Sequence, residues 1–487
     1  MAQYIILPRT ELKASSGRAV DLLTRLPYAS SMEPRRKAVI EMDTGPATNM
    51  DIIDTTAEDG PKLVEMDSET AQSLNDRSPH LRAVPLVQYA KPSPHLQANR
   101  GNSALSTVTI EITDAVSGAG IEGVYVVAFT NFTTKSGDGG KTDRNGQVQL
   151  QLNGTNIDRL YAYPVPNYWG GFYANLPIQS NIGIKLEPVT LPYTDSVRYY
   201  YNATQFTNST GVKVGVIDTG VGPHPDISLV YGTNTVTGEN ANDYEDWDNH
   251  GTHVAGLIGA NGLNGLRGLA PGVEIHAYRV FGRNADHATN YAILKAMMKA
   301  AWDGCDIINL SLGGGPADTI VEEAIRDARN QGMLVVIAAG NDDRGNVNYP
   351  AAYPGATAIS AMGREGTYPP NSLSEGDVLR PPHGNDSKEF IGSFSNIGSQ
   401  IAVTAPGVGT LSTLPNGHYG PMSGTSMAAP VAAGAAACLL SNDMNIYQLN
   451  RDRGRSNAIE QLLQSNCDKR GFGLQYEGYG MPDPTVI

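Results

Sequence analysis

The sequence predicts an α/β fold: a three-layer α/β/α domain on a parallel sheet, preceded by a small α+β unit and a β-sandwich. Three observations carry this. From about Ser196 onward, near-continuous apolar runs alternate with helical patterns, as strands covered on both faces of a parallel sheet do. Between Leu105 and Pro188 the apolar period is two, with turn residues between short runs. Ahead of both, one strand, one helix and a second strand stand out from a polar background. The 487 residues allow two to four domains at roughly 100–200 each, and the expected boundaries are residues 1–98, 99–190 and 191–487.

Composition removes several classes. Charged residues make up 17% of the chain and the formal net charge is −14, so clustered Lys/Arg for neutralising phosphates is missing and no nucleic-acid partner is expected. No apolar run approaches the ~18 residues needed to span a bilayer, so no membrane partner is expected either. Three cysteines, Cys305, Cys438 and Cys467, make no disulfide framework. Cys305 and Cys438 read as small core residues and Cys467 as an exposed thiol. The start, Met1 to Pro8, lacks a basic segment and its apolar run ends at Pro8. Taken literally this keeps the chain in the cytoplasm, with a trimmed secreted product as the alternative. The sequons at Asn131, Asn153, Asn202 and Asn208 are assigned no meaning.

In chain order, Tyr4 to Leu7 is a strand and residues 10 to 60 are polar without clear pattern. Lys62 to Met66 is a strand, and Asp67 and Ser68 cap a helix carrying Ala71 and Leu74. Ala83 to Tyr89 is a further strand, and Lys91 to Ser103 reads as a linker. Val108, Ile110 and Ile112 alternate with polar residues, Val124 to Phe129 is a buried run, and Val148, Leu150 and Leu152 alternate again after the turn Asp143 to Gly146. Short strands between turns fit a sandwich of about 85 residues. Then come a strand at Val212 to Ile217, a helix beginning at His250, a helix at Ala292 to Trp302 and a strand at Cys305 to Ser311. A helix at Asp318 to Gln331, a strand at Met333 to Ala339 and an Ala-rich helix at Thr425 to Ser441 complete the pattern.

Chemistry concentrates in three segments at element ends of the last domain: Val216-Ile-Asp-Thr-Gly220, Asn249-His-Gly-Thr-His-Val-Ala-Gly256 and Ser423-Gly-Thr-Ser-Met-Ala-Ala-Pro430. Taken alone, an Asp-Thr-Gly after a strand is a turn and a His at a helix start is a cap. Together, Asp218, His250 and Ser426 supply what a serine nucleophile needs: a base titrating near 6.5 and a carboxylate to fix its tautomer. Ser426 at a helix N-terminus has backbone N–H groups for a developing oxyanion. His253 reads as a structural neighbour facing the packed side. Asp243, Glu245, Asp246 and Asp248 read as a solvated loop, with a calcium site as the alternative, and no other cofactor or metal is expected.

These motifs, in the order Asp, His, Ser, resemble the subtilisin-like serine peptidases (subtilases) over about residues 196 to 487. The resemblance implies a serine endopeptidase working through an acyl-enzyme on a protein or peptide substrate; the alternatives are a pseudo-peptidase that uses its cleft and sandwich to bind a partner, and a permanently self-inhibited peptidase released by a trigger protease. It makes Asn341, in Ala338-Ala-Gly-Asn341, the second oxyanion donor. It makes Ser311, Leu312, Gly313 and Gly314, with Ala338, Ala339 and Gly340, the substrate-pairing edge and the pocket wall. Asp342 beside them is a candidate for favouring basic residues. Residues 60 to 90 are similar to the end of a subtilase prodomain, which implies that the N-terminal region inhibits its own enzyme until cut near Tyr89 to Pro94. The intervening sandwich departs from the family pattern and puts that cut in doubt. It resembles transthyretin-like domains beside carboxypeptidases, which serve as spacers, cleft covers or binding modules. The chain is expected to act as a monomer.

Overall fold

The computed structural model describes residues 1–12, 17–30, 32–40, 48–92, 96–100, 106–201 and 209–485. Parts of the expected linker (93–95 and 101–103) and the sequons at Asn202 and Asn208 lie outside them, as does part of the expected cut region.

The N-terminal strands form one antiparallel sheet in the order Arg36–Ile40, Thr48–Thr55, Lys62–Met66, Ala2–Pro8, Leu81–Pro85. Side chains of a strand alternate between faces, and here each face has its own partner. Ile6, Ile52 and Val64 pack under the helices Arg18–Arg25 and Ser68–Arg77 with Leu22, Leu23 and Leu74. Ile5, Leu7, Ile53 and Leu63 point the other way, into one apolar core shared with Tyr291, Ala292, Ile320, Val321 and Ala324. The polar stretch 10 to 60 therefore holds a helix and two strands that its short, half-polar pattern concealed. The expected strand Ala83 to Tyr89 is two strands. It breaks at Pro85, which has no N–H for a ladder, and resumes as Gln88–Ala90.

Next come a three-stranded sheet (Gln147–Leu152, Ser106–Asp114, Asn181–Leu186) and a four-stranded one (Gly171–Pro177, Asn156–Tyr163, Tyr125–Asn131, Ser136–Lys141). Ile110, Val126, Leu150 and Leu160 fill the space between them.

The last part is built on an eight-stranded sheet. From one edge it runs Leu229–Asn234, Glu274–Arg279, Lys213–Asp218, Ile307–Leu310, Leu334–Ala338, Thr357–Arg364, the last pairing with both Glu389–Ile391 and Ile401–Pro406. Every pairing is parallel except the one to Glu389–Ile391. The helices His250–Gly259 and Thr425–Asn442 share the apolar core of one face. Asn290–Trp302 and Thr319–Asn330 share that of the other. Among the described residues no helix is long and apolar enough to cross a membrane. Cys467 is half-buried, its Sγ donating to Leu463 O at 3.1 Å, and burial pushes its thiol up to about 12, so it is not the exposed thiol expected.

Candidate active site

The sheet order reverses direction between Lys213–Asp218 and Ile307–Leu310: the strands after the first lie to one side and those after the second to the other. Ligand sites of such sheets form at the carboxyl ends flanking that switch. Asp218 ends the first of these strands and Ser311 follows the second, and the register Ile217↔Leu310 sets them side by side.

His250 opens its helix behind Asn249, whose backbone is left-handed (φ 77°). A Cβ at Gly251 would overlap Gly220 O, so only glycine lets the helix start sit this close to the Asp218 turn. The approach brings His250 Nδ1 to 2.7 Å from Asp218 Oδ1, which also accepts the Thr219 N–H at 2.7 Å. A proton on Nδ1, shared with a carboxylate, leaves Nε2 as the basic nitrogen. Nε2 is buried and has no hydrogen-bond partner among the described residues. Burial alone would lower the affinity of His250 for a proton. The charge of Asp218, its hydrogen bond and the charges of Asp246 and Asp248 outweigh that, holding the imidazole above its usual range.

Thr219, given no role in the sequence reading, and Asp246, read there as part of a solvated loop, brace this pair. Thr219 Oγ1 donates to Asp246 Oδ1 and accepts the Gly251 N–H, each at 2.9 Å. Asp246 Oδ2 takes the Thr252 N–H and hydroxyl at 2.8 and 2.6 Å. Asp246 is buried, which pushes its carboxyl up, and Asp243 sits 3.3 Å from Arg279, so of the acidic run only Glu245 is exposed as a solvated loop would have it. Among the described residues no group of three or more His, Cys, Asp or Glu is arranged to hold a metal ion. His253 is fully buried with Nε2 donating to Thr410 O and Gly420 O at 3.1 Å, and burial lowers it to about 3.

Ser426 is the second residue of its helix and 4% exposed. Pro430, four residues on, has no N–H to return to Ser426 O, which frees that carbonyl. Ser311 Oγ donates to it at 2.8 Å, and Ser426 Oγ donates to Ser311 O at 3.3 Å. Ser311 thus clamps the serine from the neighbouring strand end. Asn341 is exposed, and its Oδ1 accepts both the N–H and the hydroxyl of Thr425 at 2.9 Å. The amide is thereby turned so that its Nδ2 faces away from Thr425. Thr425, inside the Gly-Thr-Ser-Met-Ala motif, is the orienting residue that the sequence reading passed over.

Of the expected substrate-binding residues, Gly313, Gly314 and Gly340 retain accessible surface, while Ser311, Leu312, Ala338 and Ala339 are buried. Asp342 Oδ2 accepts from Asn348 at 2.6 Å and Asn396 at 3.0 Å, so its carboxylate is committed to loop amides.

The N-terminal region reaches this site. Gln88–Ala90 pairs antiparallel with His287–Thr289. The contact continues at both ends: the Lys91 N–H donates to Asp286 O at 2.7 Å, the Asn290 N–H to Val87 O at 2.8 Å, and the Val87 N–H to Asn290 Oδ1 at 3.1 Å. Tyr89 is fully buried, and a Cβ on Gly315 would come within 2.6 Å of its ring. Beyond it, Lys91 Nζ lies 2.5 Å from Asp248 Oδ2, two residues before His250.

A parallel-sheet enzyme with a carboxylate–imidazole pair at its switch point and a serine clamped at a helix N-terminus is a serine hydrolase in type. The family is more definite: residues 209–481 match the subtilase family (Peptidase_S8), and the chain belongs to it. It is 37% identical over 235 residues to subtilisin DY of Bacillus licheniformis, covering 47% of this chain and 77% of that one. It is 37% identical over 228 residues to subtilisin Savinase of Lederbergia lenta, covering 47% and 76%. To the thermophilic serine proteinase of Bacillus sp. (strain AK1) it is 34% identical over 343 residues, 69% of this chain and 74% of that one. The chain is a subtilisin-like serine endopeptidase.

Proposed function

We propose that peptide hydrolysis runs through Ser426, His250 and Asp218, and that the N-terminal region holds the enzyme inactive until it is cut away. Ser426 Oγ attacks the peptide carbonyl as its proton passes to His250 Nε2. The tetrahedral oxyanion is held by the Ser426 N–H and Asn341 Nδ2. His250 returns the proton to the leaving amine, and water then repeats the sequence on the acyl-enzyme. Asp218 orients the imidazole and stabilises its charged form. The reading rests on the 2.7 Å contact between Asp218 and His250, which leaves a buried Nε2 with no partner among the described residues, on a helix packed against the one that carries Ser426. Self-inhibition is supported by the strand Gln88–Ala90 lying against the site like a substrate added to a sheet edge.

We further assign residues 1–98 to the inhibitory unit, 99–190 to the sandwich and 191–487 to the peptidase. The same docked strand also favours a second reading, a peptidase that stays inhibited until another protease releases it. Intact mass after incubation with a fluorophosphonate, beside Ser426→Ala, tests both. Wild type should be labelled and should lose about the first 90 residues, while Ser426→Ala stays whole and unlabelled. A wild type that stays whole and unlabelled until a trace of outside protease is added supports the triggered form. A Ser426→Ala variant that takes the label or turns over peptide within tenfold of wild type overturns the triad assignment.

A further inference from the structure

We propose that the sandwich holds the chain on the downstream side of the maturation cut: residues 96–100 pair with its open sheet edge, and this hold both speeds the self-cut and outlasts it. The inference rests on the self-processing reading above. Upstream of the cut the chain is fixed by Gln88–Ala90 on His287–Thr289. Downstream, Ser136–Lys141 is the last strand of the four-stranded sheet, an edge that would otherwise offer unpaired backbone groups. Residues 96–100 take them up. The Asn99 N–H donates to Lys135 O at 2.7 Å, and Asn99 O accepts the Gly137 N–H at 3.0 Å, a parallel bridge to Ser136.

Side chains of the segment alternate as those of a strand do. Leu96 and Ala98 are half-buried against the aromatic cluster of Phe129, Tyr161 and Tyr163, while Gln97 and Asn99 are exposed. Arg100 continues the inward set, its Nε donating to Asp138 Oδ1 at 2.7 Å. Asp138 is 4% exposed and its other oxygen takes the Gln151 N–H at 2.8 Å, so this carboxylate is built into the sandwich. The Leu96 N–H donates to the Tyr163 hydroxyl at 2.9 Å. Lys135, Gly137, Asp138 and Tyr163 all belong to the sandwich, so residues 96–98 go with it and not with the unit that leaves. A bond whose flanks are both fixed reaches the reacting geometry at a smaller entropic cost than one fixed on a single side. The cut itself is ordinary hydrolysis: the carbonyl carbon gains the hydroxyl of water and the new N-terminal amine gains its proton.

The test follows the full-length protein by intact mass and reads the first-order loss of the first unit. Leu96→Asp with Arg100→Glu should slow that loss about tenfold, whereas Arg100→Lys keeps the charge and should stay within about threefold of wild type. Once processed, the double variant should hydrolyse a free short peptide with the kcat/KM of wild type, which separates the hold from general damage to catalysis. A self-cut unchanged in the double variant, or slowed only in proportion to its kcat/KM on the free peptide, overturns the proposal. Hydrogen exchange reads the second half. The Asn99 and Gly137 amides should stay protected after the first unit is gone, and the double variant should lose that protection. Amides that exchange freely in the processed wild type overturn the proposal. If only outside protease makes the cut, the self-processing reading fails while exchange still decides the hold: protected amides in the trimmed enzyme support it and free ones overturn it.

Discussion

Three carboxylates, Asp218, Asp246 and Asp248, act on His250, and they oppose the effect of its burial. Burial favours the neutral imidazole. Asp218, then Asp246 and Asp248, favour the charged one and prevail, so its pKa lies above the ordinary 6.5. The base is useful only when Nε2 is free of a proton. Activity must therefore fall as pH drops through this raised value, and not through 6.5. The log of kcat/KM for an uncharged peptide should show an acid limb of slope one with its midpoint above 6.5. Asp248→Asn removes one of the charges that raise it, so the midpoint should move down. A midpoint at or below 6.5 in wild type, or one unmoved by Asp248→Asn, would contradict this electrostatic account. At this scale the motifs made Asp218, His250 and Asn341 legible, because each sits inside a short fixed string at an element end. Thr425, Thr219 and Asp246 were not legible, since their work is to hold neighbours through hydroxyl and carboxylate bonds that only the folded chain brings together.

Whole elements show a different limit. Helices and strands with a long, clean period were visible; Asp67 caps the helix Ser68–Arg77 as its position suggested, and Asp318, read as the first residue of its helix, is the cap of Thr319–Asn330. Strand Ser136–Lys141, with the sequence Ser-Gly-Asp-Gly-Gly-Lys, was invisible because its partner imposes it. A Cβ at Gly137 would overlap Ala128 O of the neighbouring strand, so the composition that argues against a strand in isolation is what lets this one pair. The helices Asn290–Trp302 and Thr319–Asn330 carry a further consequence, because the N-terminal sheet sits on them. Two ion pairs edge that apolar contact, Arg82 with Glu323 and Lys295 with Asp54, the latter at 2.7 Å. Asp54 is 2% exposed, so Lys295→Met would leave a buried carboxylate without its cation, while the N-terminal sequence stays unchanged. The docked state should weaken enough for fluorophosphonate labelling of Ser426 in the uncut chain to quicken roughly tenfold. An unchanged labelling rate would mean that the pair adds nothing to docking.

Across the whole molecule, the two N-terminal units are attached in different ways, which bears on the proposal that the first is an inhibitor separated from the peptidase by the sandwich. Among the described residues the first unit is held by a sheet face, the two ion pairs at its edge, the strand Gln88–Ala90 paired to His287–Thr289 and the Lys91–Asp248 pair, all upstream of residue 92. The sandwich shares a core with the peptidase: Trp169, 2% exposed, packs with Leu266, Tyr368, Phe390, Val408, Leu411 and Tyr419. Around it Phe172 N–H donates to Asn371 O and Asn167 N–H to Tyr419 O, both at 2.7 Å. A cut just after Lys91 would free the first unit and leave the second both covalently joined and packed in place. The sequence could separate these segments by period, yet nothing in a period says which face of a distant element will cover them. If the sandwich is part of the working enzyme's core, Trp169→Ala should cost about 3–5 kcal/mol and lower the melting temperature of the processed form, measured by calorimetry after the first unit is gone. A processed enzyme whose melting temperature ignores Trp169→Ala would instead make the sandwich a passenger, tethered by chain and not by packing.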